Sequence, residues 1–76
     1  MEPWIVSRPG VLGGKPCVRG TRLSVEFILE LLASGASREQ ILGTYSQLSP
    51  EGLNAALQYA ASAIRNDVQW EVELTA

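Results

Sequence analysis

The chain has 76 residues, of which 46% are hydrophobic and 18% are charged, and its formal net charge is −2. This length accommodates one domain that buries about 60% of its unfolded surface, and the composition is typical of a folded protein. The chain has no histidine and a single cysteine, Cys17, which excludes an internal disulfide and the usual zinc ligand sets and removes the commonest general base. We therefore expect no metal, no cofactor and no enzymatic activity.

The chain lacks the features of a membrane or secreted protein. No apolar stretch reaches the roughly 18 residues that cross a bilayer. The first residues, Met1 to Trp4, lack the basic start and the apolar core of a signal peptide. We expect a cytoplasmic protein with no membrane partner.

Charge is distributed unevenly along the chain. Residues 1–22 contain four basic residues and one acidic residue, whereas residues 23–76 contain two basic and seven acidic residues. A basic head on an acidic body can orient a protein toward a polyanion while the body contacts another partner.

The N-terminal residues predict a small β element. Residues 4–6 are β-formers, and Pro9-Gly10 suits the two central positions of a type II turn. A second extended segment at residues 16–18 is predicted to pair with the first, with a glycine pair forming a loop or bulge between them.

Residues 13–22 differ from the rest of the chain. They contain three glycines, one proline and three of the six basic residues, a composition that predicts a specific, non-repetitive conformation. Lys15, Arg19 and Arg22, together with backbone N–H groups near the glycines, are candidates to bind phosphates of DNA or RNA. The order Gly-Gly-Lys-Pro lacks the spacing of a nucleotide-binding phosphate loop.

A structural interpretation of the same segment is equally open. On that interpretation Arg22 is buried and bonds to carbonyls or pairs with Glu26 or Glu30, while Thr21 caps a local turn.

The first helical pattern begins after Ser24 and ends at Gly35. Ser24 is the predicted N-cap, and Gly35 is the predicted C′ residue in the left-handed conformation. Glu26 and Glu30 lie on the outer side of this helix. Its apolar face consists of Val25, Ile28, Leu29, Leu31 and Leu32.

Two further helices are predicted. Ser37 and Gln40 have the form of a capping box and start a short helix that reaches Tyr45. Residues 49–51, Ser-Pro-Glu, combine a capping serine, a proline at N1 and an early acid, and they predict the start of a longer helix. The apolar face of this third helix consists of Leu53, Ala56, Leu57, Ala60 and Ile64, and its outer face of Glu51, Asn54, Gln58, Ser62 and Arg65.

The C-terminal residues alternate strictly between apolar and polar from Val68 to Leu74, which predicts a strand. Because an isolated strand is unstable, it must pair with the N-terminal hairpin, a second copy of the chain or another protein. The predicted elements thus form one mainly α domain over residues 1–76, with a β element and basic loop at 1–22, a three-helix core at 24–66 and a C-terminal strand at 67–74.

Several short motifs occur together at a fixed spacing. They are Gly13-Gly14-Lys15-Pro16, Gly20-Thr21-Arg22, a helix ending in Gly35, a helix from Ser37 to Tyr45, Leu48-Ser49-Pro50-Glu51, Ala55-Ala56-Leu57 and Tyr59-Ala60. With these motifs, residues 5–62 resemble a family of short bacterial proteins known as domain of unknown function 433, often described as antitoxin-like. The ten-residue segment 13–22 is the most specific part of the resemblance.

The resemblance implies a homeodomain-like, helix-turn-helix core with an N-terminal β-hairpin, in a homodimer. It also implies a role beside a toxin, typically a ribonuclease with a PIN-like fold. Antitoxins of this general kind bind their toxin and often repress their own operon, so the resemblance implies a toxin and DNA as partners.

On the helix-turn-helix interpretation, the third helix is the recognition helix and places Glu51, Asn54 and Gln58 near base edges. This helix has no basic residue before Arg65, however, and Glu51 would repel phosphate. The other interpretation is a purely structural three-helix core whose outer face is solvated.

The candidate sites are therefore two sets of residues. The candidate nucleic-acid-binding residues are Lys15, Arg19, Thr21, Arg22, Arg38, Asn54 and Gln58, and the candidate partner-binding residues are Val68, Trp70, Val72 and Leu74. The second set either completes a sheet within a dimer or docks a toxin by strand addition. A different function is a dimeric interaction or scaffold domain that binds no nucleic acid.

Overall fold

The structure is a computed structural model, and it describes residues 3–65. The order of its elements is strand, 3₁₀ turn, strand and three helices. They are β1 (Ile5–Val6), the 3₁₀ turn (Leu12–Gly14), β2 (Cys17–Val18), α1 (Val25–Ala33), α2 (Arg38–Thr44) and α3 (Pro50–Arg65). The prediction of a mainly helical fold with three helices and a small β element is confirmed. The predicted C-terminal strand at residues 67–74 lies outside the described residues.

The two short strands form the predicted antiparallel pair, in which Ile5 lies opposite Val18. The predicted turn precedes the 3₁₀ segment. Its closing hydrogen bond runs from the Val11 N–H to the Arg8 carbonyl at 3.1 Å, and Gly10 has φ +83°. This positive φ is the one that the third position of a type II turn requires.

The helix boundaries follow from the caps that the sequence predicts. The Ser24 side chain accepts from the Phe27 N–H, and the Ser37 and Gln40 side chains form a complete capping box. At the end of α1, Gly35 has φ +104° and the Ala36 N–H donates to the Leu31 carbonyl at 3.1 Å. This six-to-one bond is that of a Schellman motif, which ends the helix and requires the left-handed conformation at Gly35.

The core lies where α1, α3 and the hairpin meet. Its fully buried centre consists of Val18, Ile28, Ile41 and Leu53. Ala56 is also completely buried, so the first half of α3 is the part that packs into the core. Two residues of the predicted apolar faces do not follow this pattern, because Leu29 is 38% exposed and Ile64 is 65% exposed.

The helix α3 approaches the hairpin closely at Gly52. This glycine is buried, and a Cβ placed there would lie 3.0 Å from Cγ1 of Val18 and 3.3 Å from Oγ of Ser49. Neither neighbour can move easily, since Val18 is β-branched and fully buried and the Ser49 hydroxyl accepts the capping bond from the Gly52 N–H. A glycine is therefore needed for α3 to seat on β2.

Within residues 3–65, no helix is long and apolar enough to cross a bilayer. The homeodomain-like geometry of the three helices and the division of the chain into 1–22, 24–66 and 67–74 stay predictions.

We expect the Gly52→Ala variant to be less stable than the Gly43→Ala variant by about 2 kcal/mol, because overpacking a core typically costs 1–3 kcal/mol. Gly43 is the matched control, since it also lies in a helix but a Cβ there would meet no atom within 4 Å. Replacing glycine by alanine raises the helix propensity by a similar amount at both positions, so the difference in stability between the two variants reports the contact with Val18. Urea unfolding of both variants measures it, and equal stabilities would contradict the account of the contact.

Candidate functional site

A cleft of about 630 Å³ lies beside the hairpin and brings together three separate segments of the chain. We call it the arginine cleft. Its polar lining residues are Arg8, Arg19, Thr21, Arg22 and Gln47, and its apolar ones include Val6, Val11 and Cys17. Among residues 3–65, no carboxylate lines it. The described residues therefore line this concave surface with three arginines and no carboxylate.

Arg19 is held in place by the residues that precede β1. Its Nη1 donates to the Pro3 carbonyl at 2.7 Å, and its guanidinium lies 5.1 Å from the centre of the Trp4 ring. The Arg19 backbone N–H also donates to the Trp4 carbonyl at 2.7 Å. A cation over an aromatic face is attracted by the ring quadrupole, so these contacts fix the position of the Arg19 charge at one side of the cleft.

Thr21 shapes the turn that carries two of these arginines. Its hydroxyl donates to the Val18 carbonyl at 2.8 Å and accepts from the Leu23 N–H at 3.0 Å. The backbone N–H of Thr21 donates to the same Val18 carbonyl. These bonds are those of a turn cap, which is the structural interpretation that the sequence analysis gave for Thr21. They hold the residue in the wall of the cleft.

Arg22 lies on the surface rather than in the core. It is exposed, and within the described part of the chain its side chain makes no hydrogen bond or ion pair. The interpretation in which Arg22 is buried and pairs with Glu26 or Glu30 is therefore wrong for this structure. Its guanidinium is left at the surface, where it can meet an external anion.

Arg8 is a lining residue that the sequence did not single out. It is exposed, and no ion pair or hydrogen bond of its side chain is found within residues 3–65. The predicted turn at Pro9-Gly10 could have identified Arg8 as a site residue, because this turn directs the chain at Arg8 back toward β2. Gln47 also lines the cleft from the α2–α3 connection, and no sequence signal pointed to it.

Lys15 is separated from the arginine cleft, although it belongs to the same basic segment. Its Nζ lies 2.7 Å from Oε1 of Glu26, and both side chains are 58% exposed. The hydrogen bond and the negative charge of Glu26, with a smaller contribution from Glu30, raise the pKa of the Lys15 ammonium. The structure thus gives Lys15 an internal partner outside the arginine cleft, in a neighbouring cavity that Arg22, Glu26 and Glu30 also line.

The candidates on the helices form a second group. Arg38 in α2 donates from Nη1 to Oδ1 of Asn54 in α3 at 2.7 Å, which ties the two helices together on their outer side. Gln58 is exposed one turn further along α3, and Glu51 is exposed at its start. The structure therefore presents the outer face of α3 to solvent, with the Arg38 and Asn54 side chains bonded to each other.

A groove between α1 and the second half of α3 is mostly apolar. We call it the apolar groove, and its volume is about 540 Å³. It is lined by Pro16, Val25, Leu29, Ala33, Tyr59, Ala60, Ala63 and Ile64, with Lys15, Glu26 and Glu30 at its rim. Its exposed large apolar side chains are Leu29, Tyr59 and Ile64, so Leu29 and Ile64 of the predicted apolar faces line this groove instead of entering the core.

The candidate partner-binding residues Val68, Trp70, Val72 and Leu74 lie outside the described residues. Within residues 3–65, no three potential metal ligands come together. Cys17 is buried and its thiol donates to the Lys15 carbonyl at 3.2 Å, so it is part of the packing beneath the cleft.

Comparison with known proteins agrees with this architecture. Residues 5–60 match the model of a family described as "Protein of unknown function (DUF433)". A crystal structure of a DUF433 member protein from Anabaena variabilis ATCC 29413, at 2.00 Å resolution, superposes with a TM-score of 0.79 and 31% sequence identity. The superposition covers 84% of this chain and 63% of that chain.

One curated relative is also similar. It is the uncharacterized protein y4eO of Sinorhizobium fredii (strain NBRC 101917 / NGR234), which is 39% identical over 56 residues. The alignment covers 74% of this chain but only 25% of the relative, so this chain spans about a quarter of that protein's length.

We expect Glu26→Gln to lower the pKa of Lys15 toward its ordinary value of 10.5, because the variant removes the charge that holds the proton. Glu30→Gln is the control and should lower it less, since Glu30 acts through charge alone and is the weakest contributor. An NMR titration of the Lys15 Cε resonance measures both. An equal effect of the two variants would contradict the assigned pairing.

The raised pKa of Lys15 also determines how the stability of the protein changes with pH. The contribution of this ion pair is complete below pH 10.5 and is lost as the pH rises through the higher folded-state value. We therefore expect the stability difference between wild type and Glu26→Gln to shrink as the pH rises through the raised pKa of Lys15.

Proposed function

Since this chain belongs to the family of proteins of unknown function designated DUF433, we propose that it is an antitoxin-type component of a type II toxin-antitoxin system. In this role it is cytoplasmic and non-catalytic, and it acts as a homodimer. It binds a toxin ribonuclease with a PIN-like fold and, with that toxin, the operator DNA of its own operon.

The observation that carries the DNA half of the proposal is the arginine cleft. Arg8 and Arg22 are exposed on the basic head of the chain, and no carboxylate within residues 3–65 lines the cleft between them. Affinity for DNA depends strongly on basic contacts to phosphate, and such contacts set the position of a protein on the duplex. The cleft supplies the positive surface that α3 lacks.

The role of α3 in this proposal is base recognition next to those phosphate contacts. In this proposal the five residues between α2 and α3 serve as the turn of a helix-turn-helix unit, and support comes from Gln58, which is exposed on α3. Asn54 is held by Arg38, which orients its side chain and uses one acceptor. Gln58 is then the side chain of α3 best suited to read adenine.

The apolar groove supports the homodimer. A 76-residue chain buries a small core, and a second copy would remove Leu29, Tyr59 and Ile64 from water at this groove. The groove runs along α1 and the second half of α3, and in an isologous dimer the same patch of each copy would cover the other.

We expect Ile64→Glu to convert the dimer to a monomer, because it places a charge in the apolar groove at a residue that the monomer leaves 65% exposed. Ala61→Glu is the matched control, since Ala61 is exposed on the same helix and does not line the groove. Light scattering after gel filtration measures the mass of each. A wild-type monomer, or a dimer that survives Ile64→Glu, would contradict the proposed interface.

The toxin half of the proposal requires a stable complex. Co-expression with the product of the adjacent gene should yield a co-purifying pair and should relieve the growth inhibition that this product causes alone. Deleting residues 67–74, which include the candidate partner-binding residues, should abolish both effects if they dock the toxin by strand addition. Absence of a complex and of growth rescue for the full chain would refute this half.

The DNA half is tested by a gel shift with the chain's own promoter. We expect binding that weakens steeply with salt, since each phosphate contact releases counterions. Gln58→Ala should reduce the preference for the promoter over a scrambled duplex by about 1–3 kcal/mol, with Ser62→Ala as the control on the same face. If no shift occurs at physiological salt, the protein is instead an interaction domain that binds no nucleic acid.

A further inference from the structure

The geometry points to the arginine cleft as a binding site for a phosphate group, in which Arg8 and Arg22 are the ligand-binding residues. The proposed site consists of the cleft residues Arg8, Arg19, Thr21, Arg22 and Gln47. Lys15 and Arg38 are not part of it. This inference deepens the DNA half of the proposed function. The expectation that the bound phosphate belongs to a nucleic acid rests on that function, whereas the binding of phosphate itself does not.

The first step concerns the charges. Arg8 begins the turn after β1, whereas Arg19 lies in the turn after β2 and Arg22 directly follows that turn, so folding places three cations around one concave surface. The like charges of Arg8 and Arg22 repel each other, and no carboxylate within residues 3–65 lines the cleft to offset this repulsion. A bound anion offsets it, and this makes an anion the fitting ligand.

The second step concerns the other basic residues. Lys15 is paired with Glu26, and Arg38 is bonded to Asn54, so each of these cations already has a partner within the protein. Arg8 and Arg22 have neither an ion pair nor a side-chain hydrogen bond within the described part of the chain. They therefore retain their guanidinium donors for an external group.

The third step concerns the class of anion. A guanidinium presents planar, paired N–H donors that match the oxygens of phosphate or carboxylate in a bidentate manner. Arg19 adds a fixed charge, because the Trp4 ring and the Pro3 carbonyl hold it. Among residues 3–65, no aromatic ring lines the cleft to stack a base, and a tetrahedral anion with three or more oxygens can engage two arginines at once. These features favour a phosphate group rather than a nucleobase.

A phosphate group can come from a nucleic-acid backbone or from a small phosphorylated molecule. The chemistry of recognition is shared, so the experiment uses two probes. One probe is inorganic phosphate, titrated against sodium chloride of the same ionic strength. The other is a short duplex of the chain's own promoter.

The measurement is an NMR titration of the full-length, isotope-labelled protein. We expect phosphate, and not chloride, to shift the amides of Gly20, Thr21 and Gln47 and the side-chain Nε signals of Arg8 and Arg22. The double variant Arg8→Gln, Arg22→Gln should weaken phosphate binding by at least about tenfold, because each charge-assisted hydrogen bond contributes strongly to affinity.

Arg65→Gln is the control variant. It removes the same charge from an exposed arginine that bonds to Ser62 at the far end of α3, and it should leave phosphate binding unchanged. Because Arg8 and Arg22 are exposed and unbonded within residues 3–65, the double variant should keep the dispersed spectrum of a folded protein.

The outcomes separate this inference from the proposed function. If phosphate shifts no cleft residue beyond the effect of chloride, or if the double variant binds it as well as Arg65→Gln, the inference is overturned. If phosphate binds in the cleft but the duplex does not disturb it, the site stands for a small phosphorylated ligand and the DNA half of the proposed function fails. If the duplex binds through α3 and the double variant binds it equally, the proposed function stands and the cleft is not the site that holds a nucleic-acid phosphate.

Discussion

The close contact between Gly52 and Val18 is the constraint on which the rest of the structure depends. It lets the first turn of α3 seat directly on β2, with 3.0 Å between a Cβ at position 52 and Cγ1 of Val18. β2 continues at once into the turn that carries Arg19 and Arg22, and Gln47 lies shortly before α3. The contact that packs the core therefore also sets the distance between two walls of the arginine cleft.

The fold divides the basic residues into two kinds. Lys15 is partnered by Glu26, and Arg38 by Asn54, so their donors serve the protein itself. Arg8 and Arg22 lie at the surface of a cleft to which no carboxylate within residues 3–65 contributes. A protein with a formal net charge of −2 thus presents a local positive site, and this local field matters more for binding an anion than the overall charge.

Local chemistry was predictable from the sequence, and long-range placement was not. The caps at Ser24 and Ser37 and the left-handed Gly35 were correct, because each depends on neighbouring residues alone. The periodicity of α1 and α3 predicted their apolar faces but not that Leu29 and Ile64 would stay exposed, since the second half of α3 extends beyond the core. For the site, Arg19 and Arg22 were identified, whereas Arg8 and Gln47 join them only through folding.

The most direct test of the central claim is a crystal structure of the full-length protein with a duplex of its own promoter. We expect a backbone phosphate between the guanidinium groups of Arg8 and Arg22, with Gln58 of α3 facing the major groove. A complex in which every phosphate contacts the protein elsewhere, and in which the arginine cleft faces solvent, would contradict that claim.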